Sequence, residues 1–385
     1  MANSGSLADL ALRSLHRDWA WNWILVNPGT SFEFIVTHID EIKRKLLGAA
    51  TNERARTIWR IEISSSISKN PNLTAEHIEA NFSGYGEDIG CDNDPEIYKW
   101  SWGLIASHPN ITMEFIEAHH NDSSIRWDWT QIARNPNLTP EFIEAHFDKF
   151  KNEIIWGNIS LNPLQGRITE LVEKYIDDPR CKFNWKSLIQ NPSITQEFIE
   201  KHISDPKYDF SGILTNPNIT MDFVEANMDN PKYNIDPKKI QHIGDLTEDF
   251  IKRHLNDNKY EWDLVVISNK RNITPEFIDK HFGLSKYAVI SLSQNPNLTP
   301  DFVRAHIDNQ FWDWNAISKN FPLQFIIDHI RDPKWKWDWD GISRNPDITI
   351  EFLEQHINDR EYQWNFDLLS LNKFKKHQTL IKPAR

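Results

Sequence analysis

Eight histidines recur at one place in a repeating frame: His119, His146, His202, His254, His281, His306, His329 and His356. Each follows a phenylalanine by four residues. Imidazoles in register can ligate metal or move protons, so this row is the first candidate for chemistry. A second row is acidic. Glu141 and Glu144 recur as Glu114/Glu117, Glu197/Glu200 and Glu351/Glu354, with Asp222/Glu225 and Glu276/Asp279 as variants, and could form a ridge for a basic partner. A third is aromatic, with pairs such as Trp127/Trp129 and Trp337/Trp339, side chains on which nucleic-acid bases stack. The fourth is the asparagine of each Asn-Pro turn, a binding row by analogy with other helical repeats.

Each row also has a plainer chemistry. Packed helices lie roughly 10 Å apart, too far for equivalent histidines of neighbouring copies to share ligation. A histidine near a helix C-terminus helps to satisfy the last carbonyls and the dipole. His119-His120 is the one adjacent pair, and it lacks a convincing third ligand. A glutamate near a helix start is favoured by the dipole and faces solvent. The tryptophans keep the period of the frame in an apolar context, which is core packing. An asparagine before proline is turn chemistry. We therefore expect no metal, cofactor or catalytic group among these rows. No G-x-S-x-G, no cysteine with a positioned histidine and no phosphate loop occurs. The nearest phosphate-loop stretch, SGYGEDIG at Ser83 to Gly90, lacks the lysine. The expectation is a chain that is not an enzyme.

These residues must be positioned by the frame itself. The stretch Trp127 to Asp148, WDWTQIARNPNLTPEFIEAHFD, returns along the chain about twelve times, mostly at 25 to 27 residues, and ends in a half-copy from Trp364 to Asn372. Periods of this size mark stacked repeats. In the second half of a copy, Thr139 suits the helix N-cap, Pro140 the first helical position and Glu141 the first turn. Phe142, Ile143, His146 and Phe147 then make one apolar stripe. In the first half, Asp128 suits a second N-cap, with Asn184, Asp209, Asp236, Asp313, Asp338 and Asn365 as equivalents. Asn135-Pro136 ends that helix, because the residue before proline is pushed out of the α region.

Helices of roughly eight residues are too short to be stable alone, so each hairpin must be held by its neighbours. The expected fold is all-α: an α-solenoid of about twelve short hairpins with capping ends. Residues 1–18 are expected to form a capping helix and 19–372 the repeat domain, with insertions at about 40–62 and 83–99 and a polar tail at 373–385.

Composition sets further bounds. Seventeen Trp and twenty-one Phe in 385 residues supply large apolar surface, while thirteen Gly weigh against glycine-rich nucleotide folds. A net charge of −12 disfavours binding to nucleic-acid phosphates. Cys91 and Cys181 match no zinc or redox spacing, which points to a reducing, intracellular setting. No apolar leader and no long apolar run is present, so neither a signal peptide nor a membrane span is expected.

The joint motif W-x-W, N-P-N-[IL]-T and [PM]-E-F-I-E-x-H resembles the short repeats of multicopy proteins in giant nucleocytoplasmic large DNA viruses of amoebae and algae. The resemblance covers roughly Trp19 to Asn372 and implies a viral repeat protein with no catalytic residues. On that reading the setting is the host cytoplasm and a host factor is one candidate partner. Specificity is expected where copies differ, at Thr130, Gln131 and Arg134 of the fourth copy, with Glu141 and Glu144 as further candidate contacts. The leading expectation is a non-enzymatic scaffold for protein–protein interaction. A structural or self-assembling virion component is the alternative, and a nucleic-acid-binding helical repeat is the second.

Overall fold

The computed structural model describes residues 6–14, 19–48, 53–80, 100–123, 125–210 and 212–374. Among these every regular element is a helix, and the helices come two to a repeat. The fourth repeat supplies Trp129–Ile132 and Pro140–Ala145. The protein is thus an all-α helical repeat fold. The expected second insertion, the loop from Ser83 to Gly90, Cys91 and residues 375–385 of the tail lie outside the described residues. The first insertion is largely helical. It lengthens the hairpin's helices to Phe32–Gly48 and Glu53–Ser68.

Local chemistry sets the helix starts. Eight threonines, Thr112, Thr139, Thr195, Thr220, Thr247, Thr274, Thr299 and Thr349, accept from the backbone N–H of the phenylalanine three residues on, at 3.1–3.3 Å. Each satisfies an amide that the helix cannot. Asp128, Asn184, Asp236, Asp313, Asp338 and Asn365 cap the first helices as expected, and Asp263 joins them. In the repeat of Asp209 the first helix is a 3-10 turn, Ile213–Thr215, entered from Gly212 at φ 85°, where a side chain would be strained. In the fifth repeat the extra turn residues Leu164, Gln165 and Gly166 all take positive φ, which absorbs the insertion before the next helix.

The core is the seam between hairpins. Ile116, Ile143, Ile199, Ile251 and Ile278 of the second helices, and Ile105, Ile132, Leu188 and Ile267 of the first, are completely buried. Each such side chain contributes roughly 1.5–3 kcal/mol when fully buried, which offsets the ordering of a short hairpin.

The chain divides into two compact parts, one of Leu73–Ile273 and one of Met1–Asn72 with Thr274–Arg385. Within the first of these, the buried Asn135 ties the fourth repeat to the third. Its Nδ2 donates to the carbonyls of Ala106, His108 and Ile111 at 2.9, 3.3 and 3.0 Å, and its Oδ1 accepts from Asn137 N–H at 2.8 Å. Asn162 and Asn191 donate in the same way to the repeats before them. Asn137 adds bonds to the carbonyls of Pro109 and Ile111. The Asn-Pro-Asn turn is both a turn and an inter-repeat staple.

The other part repeats this bonding and extends it from the last repeat to the first. Asn372 Nδ2 donates to the carbonyls of Ser343 and Asn345 at 3.1 and 2.9 Å. Asn27 donates likewise to Ser370 and Asn372, at 3.2 and 2.8 Å. Ser343 Oγ accepts from the N–H of Asn365, and Ser370 Oγ from that of Ala20. Trp19 meets Phe366 edge-on, as Trp364 meets Trp339. The half-copy at the C-terminus also gains its missing second helix. The leader helix Leu7–Arg13 begins at Ser6, whose Oγ accepts from Asp9 N–H as the threonines do elsewhere. Leu7 and Leu10 are buried at the places of Pro140 and Ile143. The thirteenth repeat is split between the two ends of the chain.

Candidate functional site: the side-chain rows between repeats

The histidine row serves two structural purposes, one within its own helix and one between repeats. Nδ1 of His38, His119 and His329 lies 2.9–3.1 Å from the carbonyl of the phenylalanine four residues earlier. A carbonyl only accepts, so the ring nitrogen donates. In the seventh repeat Asn227 makes the same bond to Phe223 at 2.9 Å. An amide serves there, so the place asks for an N–H donor rather than for a proton carrier. His146 and His202 instead turn Nε2 to a carboxylate of the preceding repeat, Glu117 at 2.6 Å and Glu173 at 2.8 Å. The rings also lie tilted against their own phenylalanines, with centroids 4.5–4.7 Å apart in seven of the repeats. Among the described residues no three His, Cys, Asp or Glu side chains come together to hold a metal ion.

The tryptophans belong to the same fastening. Indole Nε1 of Trp127, Trp337 and Trp364 donates to the carbonyl of the histidine eight residues earlier, His119, His329 and His356, at 3.0–3.1 Å. Trp129 lies against Phe142, His146 and Phe150. Neighbouring rings pack against these indoles, Trp102 and Phe115 against Trp127 and Trp335 against Trp337.

The acidic row is matched by cations of the following repeat. Glu141 lies 2.7 Å from Arg167 and Glu144 2.7 Å from Lys174. Glu173 pairs with Lys201, and Glu225 with Arg253. The Glu141 carboxyl is held below its ordinary range, first by its own backbone N–H at the helix start and then by Arg167. That of Glu173 is lowered first by Lys201 and then by His202. At these four places the acidic side chain is compensated by a cation of the next repeat.

Of the candidate contact residues, Thr130 and Gln131 are half-buried and Arg134, Glu141 and Glu144 are exposed. The carbonyl of Thr130 accepts from Asn158 Nδ2. The places equivalent to Thr130, Gln131 and Arg134 carry the bare apolar residues of several repeats. In the part formed by the chain ends these are Trp23, Ile290 and Leu371, at 45%, 37% and 41% exposure. The helix Glu53–Ser68, which packs beside Trp21–Val26, adds exposed Ile58 and Ile61. In the other part, Leu161 and Val265 occupy such places.

Two features escaped the sequence reading. The turn between repeats is built on Asp178, Asp205, Asn230, Asp257, Asp332 and Asp359, each accepting from the backbone N–H two residues on. Its signal was Asp-Pro-Lys or Asn-Pro-Lys at three of these turns and Asp-Pro-Arg at a fourth. The serine rung, Ser160, Ser293, Ser318 and Ser343 accepting from the next repeat's cap residue, has only one residue as its signature. Remaining groups offer little chemistry. Burial pushes the Cys181 thiol up to about 12, which suppresses the reactive thiolate. A depression of about 200 Å³ lined by Ile357, Asp359, Arg360, Tyr362 and Trp364 is smaller than the roughly 300–1,000 Å³ of small-molecule sites. No helix among the described residues is long and apolar enough to cross a membrane. Set against protein-family models, curated proteins and solved structures, the chain matches none of them.

Proposed function

We propose that this chain is a non-enzymatic scaffold that binds another protein through the outward face of its first helices. The observation that carries the reading is the division of labour within a repeat. The frame residues Trp, Asn, Thr, Phe and His are spent on neighbouring repeats, whereas exposed large apolar side chains appear at positions that vary. Exposed apolar residues gathered on one face are the usual mark of a protein-binding surface. The charge of −12 and the paired acidic ladder weigh against a surface for nucleic-acid phosphates. The motif's resemblance to repeats of giant DNA viruses makes a host-cell protein the first partner to seek, in the host cytoplasm.

The test is capture from host lysate by the immobilised full chain and by the variant Trp23→Ser/Ile290→Ser/Leu371→Ser, all within the part formed by the chain ends. Such exposed positions change stability by only about 0.5 kcal/mol, so both proteins should unfold alike. Specific, saturable capture by the parent that the variant loses supports the proposal. Capture by neither, or equally by both, refutes it.

A further inference from the structure

We propose that the inserted hairpin, Phe32–Gly48 with Glu53–Ser68, is a docking element for an anionic lipid surface, on which it lies without crossing. The inference goes beyond the scaffold reading and does not rest on it.

The insertion departs from the repeat in length. Glu53–Ser68 has 16 residues, whereas the longest first helix elsewhere among the described residues, Glu153–Leu161, has 9. Its C-terminal end is held in register by Asn70, whose Nδ2 donates to the carbonyls of Leu25 and Thr30 at 2.6 and 3.2 Å. The excess therefore lies at the N-terminal end, about ten residues or roughly 15 Å beyond the neighbouring Trp21–Val26. Within that overhang Arg54, Ile58 and Ile61 fall at i, i+4 and i+7, on one face of the helix. All three are exposed, while Ile63 and Ile67 on the opposite side are buried.

The insertion departs in charge as well. Arg54 stands in the first turn of its helix, where a cation works against the dipole, so helix stability does not account for it. Arg44 is exposed near the end of the preceding helix. In sequence the adjoining helix ends, residues 43–48 and 53–60, hold six cations against the one carboxylate of Glu53, in a chain of net charge −12. Asp40, Glu41 and Glu62 come next along the two helices, so the positive charge is concentrated at the tip. Charge and apolar surface together select the occupant. Any polyanion suits the cations, but one that takes only charge leaves two isoleucines in water. An anionic bilayer uses both, its headgroups meeting the arginines and its acyl boundary the isoleucines. A helix of this kind lies in the interface plane and needs no spanning length.

The test is flotation of the full chain with vesicles of phosphatidylcholine alone and of phosphatidylcholine with phosphatidylserine. Binding is expected only to the vesicles with phosphatidylserine, and it should weaken as salt screens the charges. Arg44→Gln/Arg54→Gln should weaken it about fivefold for each arginine removed. Ile58→Gln/Ile61→Gln should weaken it about tenfold, yet leave binding to heparin, which takes only charge, at the parental level. Ile61→Trp puts an interfacial side chain at the same place and should bind more tightly, a gain that misfolding would not give. No binding to the charged vesicles would overturn the proposal. So would equal binding to the uncharged ones, or vesicle binding that the glutamine pair at positions 58 and 61 leaves unchanged.

Discussion

Asn135 gives the most discriminating substitution series. It is fully buried, donates to three carbonyls of the preceding repeat and accepts one N–H of its own turn. Alanine removes all four bonds and strands the partners in a dry seam. At a net 0.5–1.5 kcal/mol per bond the loss is about 2–6 kcal/mol. Aspartate keeps the size and the acceptor but points an anion at three carbonyl oxygens, a buried charge with no partner, and should cost more than alanine at pH 7. Burial among carbonyls raises the folded carboxyl's pKa. Protonation then gains a donor, and the gap between aspartate and alanine should narrow as pH falls. Urea unfolding followed by tryptophan fluorescence at pH 7 and pH 4.5 reads the order, and amide exchange at Asn137 reads the site. Aspartate within about 0.5 kcal/mol of the parent at pH 7, the range of a neutral surface change, would refute the staple.

Other substitutions probe single features. A Cβ on Gly341 would lie 2.3 Å from the Asn315 carbonyl oxygen and 2.8 Å from Ser318 Cβ. Gly341→Ala should therefore destabilise by about 1–3 kcal/mol in thermal unfolding. Gly157, inside a helix with nothing within 4 Å of such a Cβ, should instead gain about 0.5–1 kcal/mol as alanine. The Glu173 carboxyl, lowered by Lys201 and His202, contributes stability that is present above its unfolded value and lost as pH falls through the folded one. Glu173→Gln should flatten stability against pH below about 4.5, and an unchanged slope would contradict the pairing. Cys181, pushed up to about 12 by burial, should label with iodoacetamide at pH 8 far more slowly than in urea, as peptide mapping would show. Equal rates would argue against its burial.

What was legible in the sequence was what a residue does to its near neighbours. Thr139 caps Phe142 three residues on, Asp128 caps the helix beginning at Trp129, and both follow from type and spacing. The plain reading of the histidines near a helix end was sound for His119 and His329. The other half of each role was hidden because its partner lies a full repeat away. Asn135 reads as a turn residue through its Oδ1, yet its Nδ2 reaches back to Ala106. Glu144 reads as a solvated helix face until Lys174 of the next repeat appears beside it. The leader helix was harder still, because Asp9 and Arg13 replace the phenylalanine and histidine of the motif. Its membership in the last repeat shows only through Ser6, Leu10 and the ion pair with Glu354. The variable positions were identified by elimination, and the exposure of Trp23, Ile290 and Leu371 was not legible in residue type alone.

The frame residues fasten each repeat to its neighbour, and the last repeat hands on to the first by the same bonds. Asn27→Ala and Asn372→Ala test this handover most directly, compared in one urea unfolding experiment. Asn27 bonds across the two ends of the chain and Asn372 bonds to the repeat just before it, each through two carbonyls. Equal losses are expected, about 1–3 kcal/mol for each variant. A loss at Asn372 with none at Asn27 would contradict the handover.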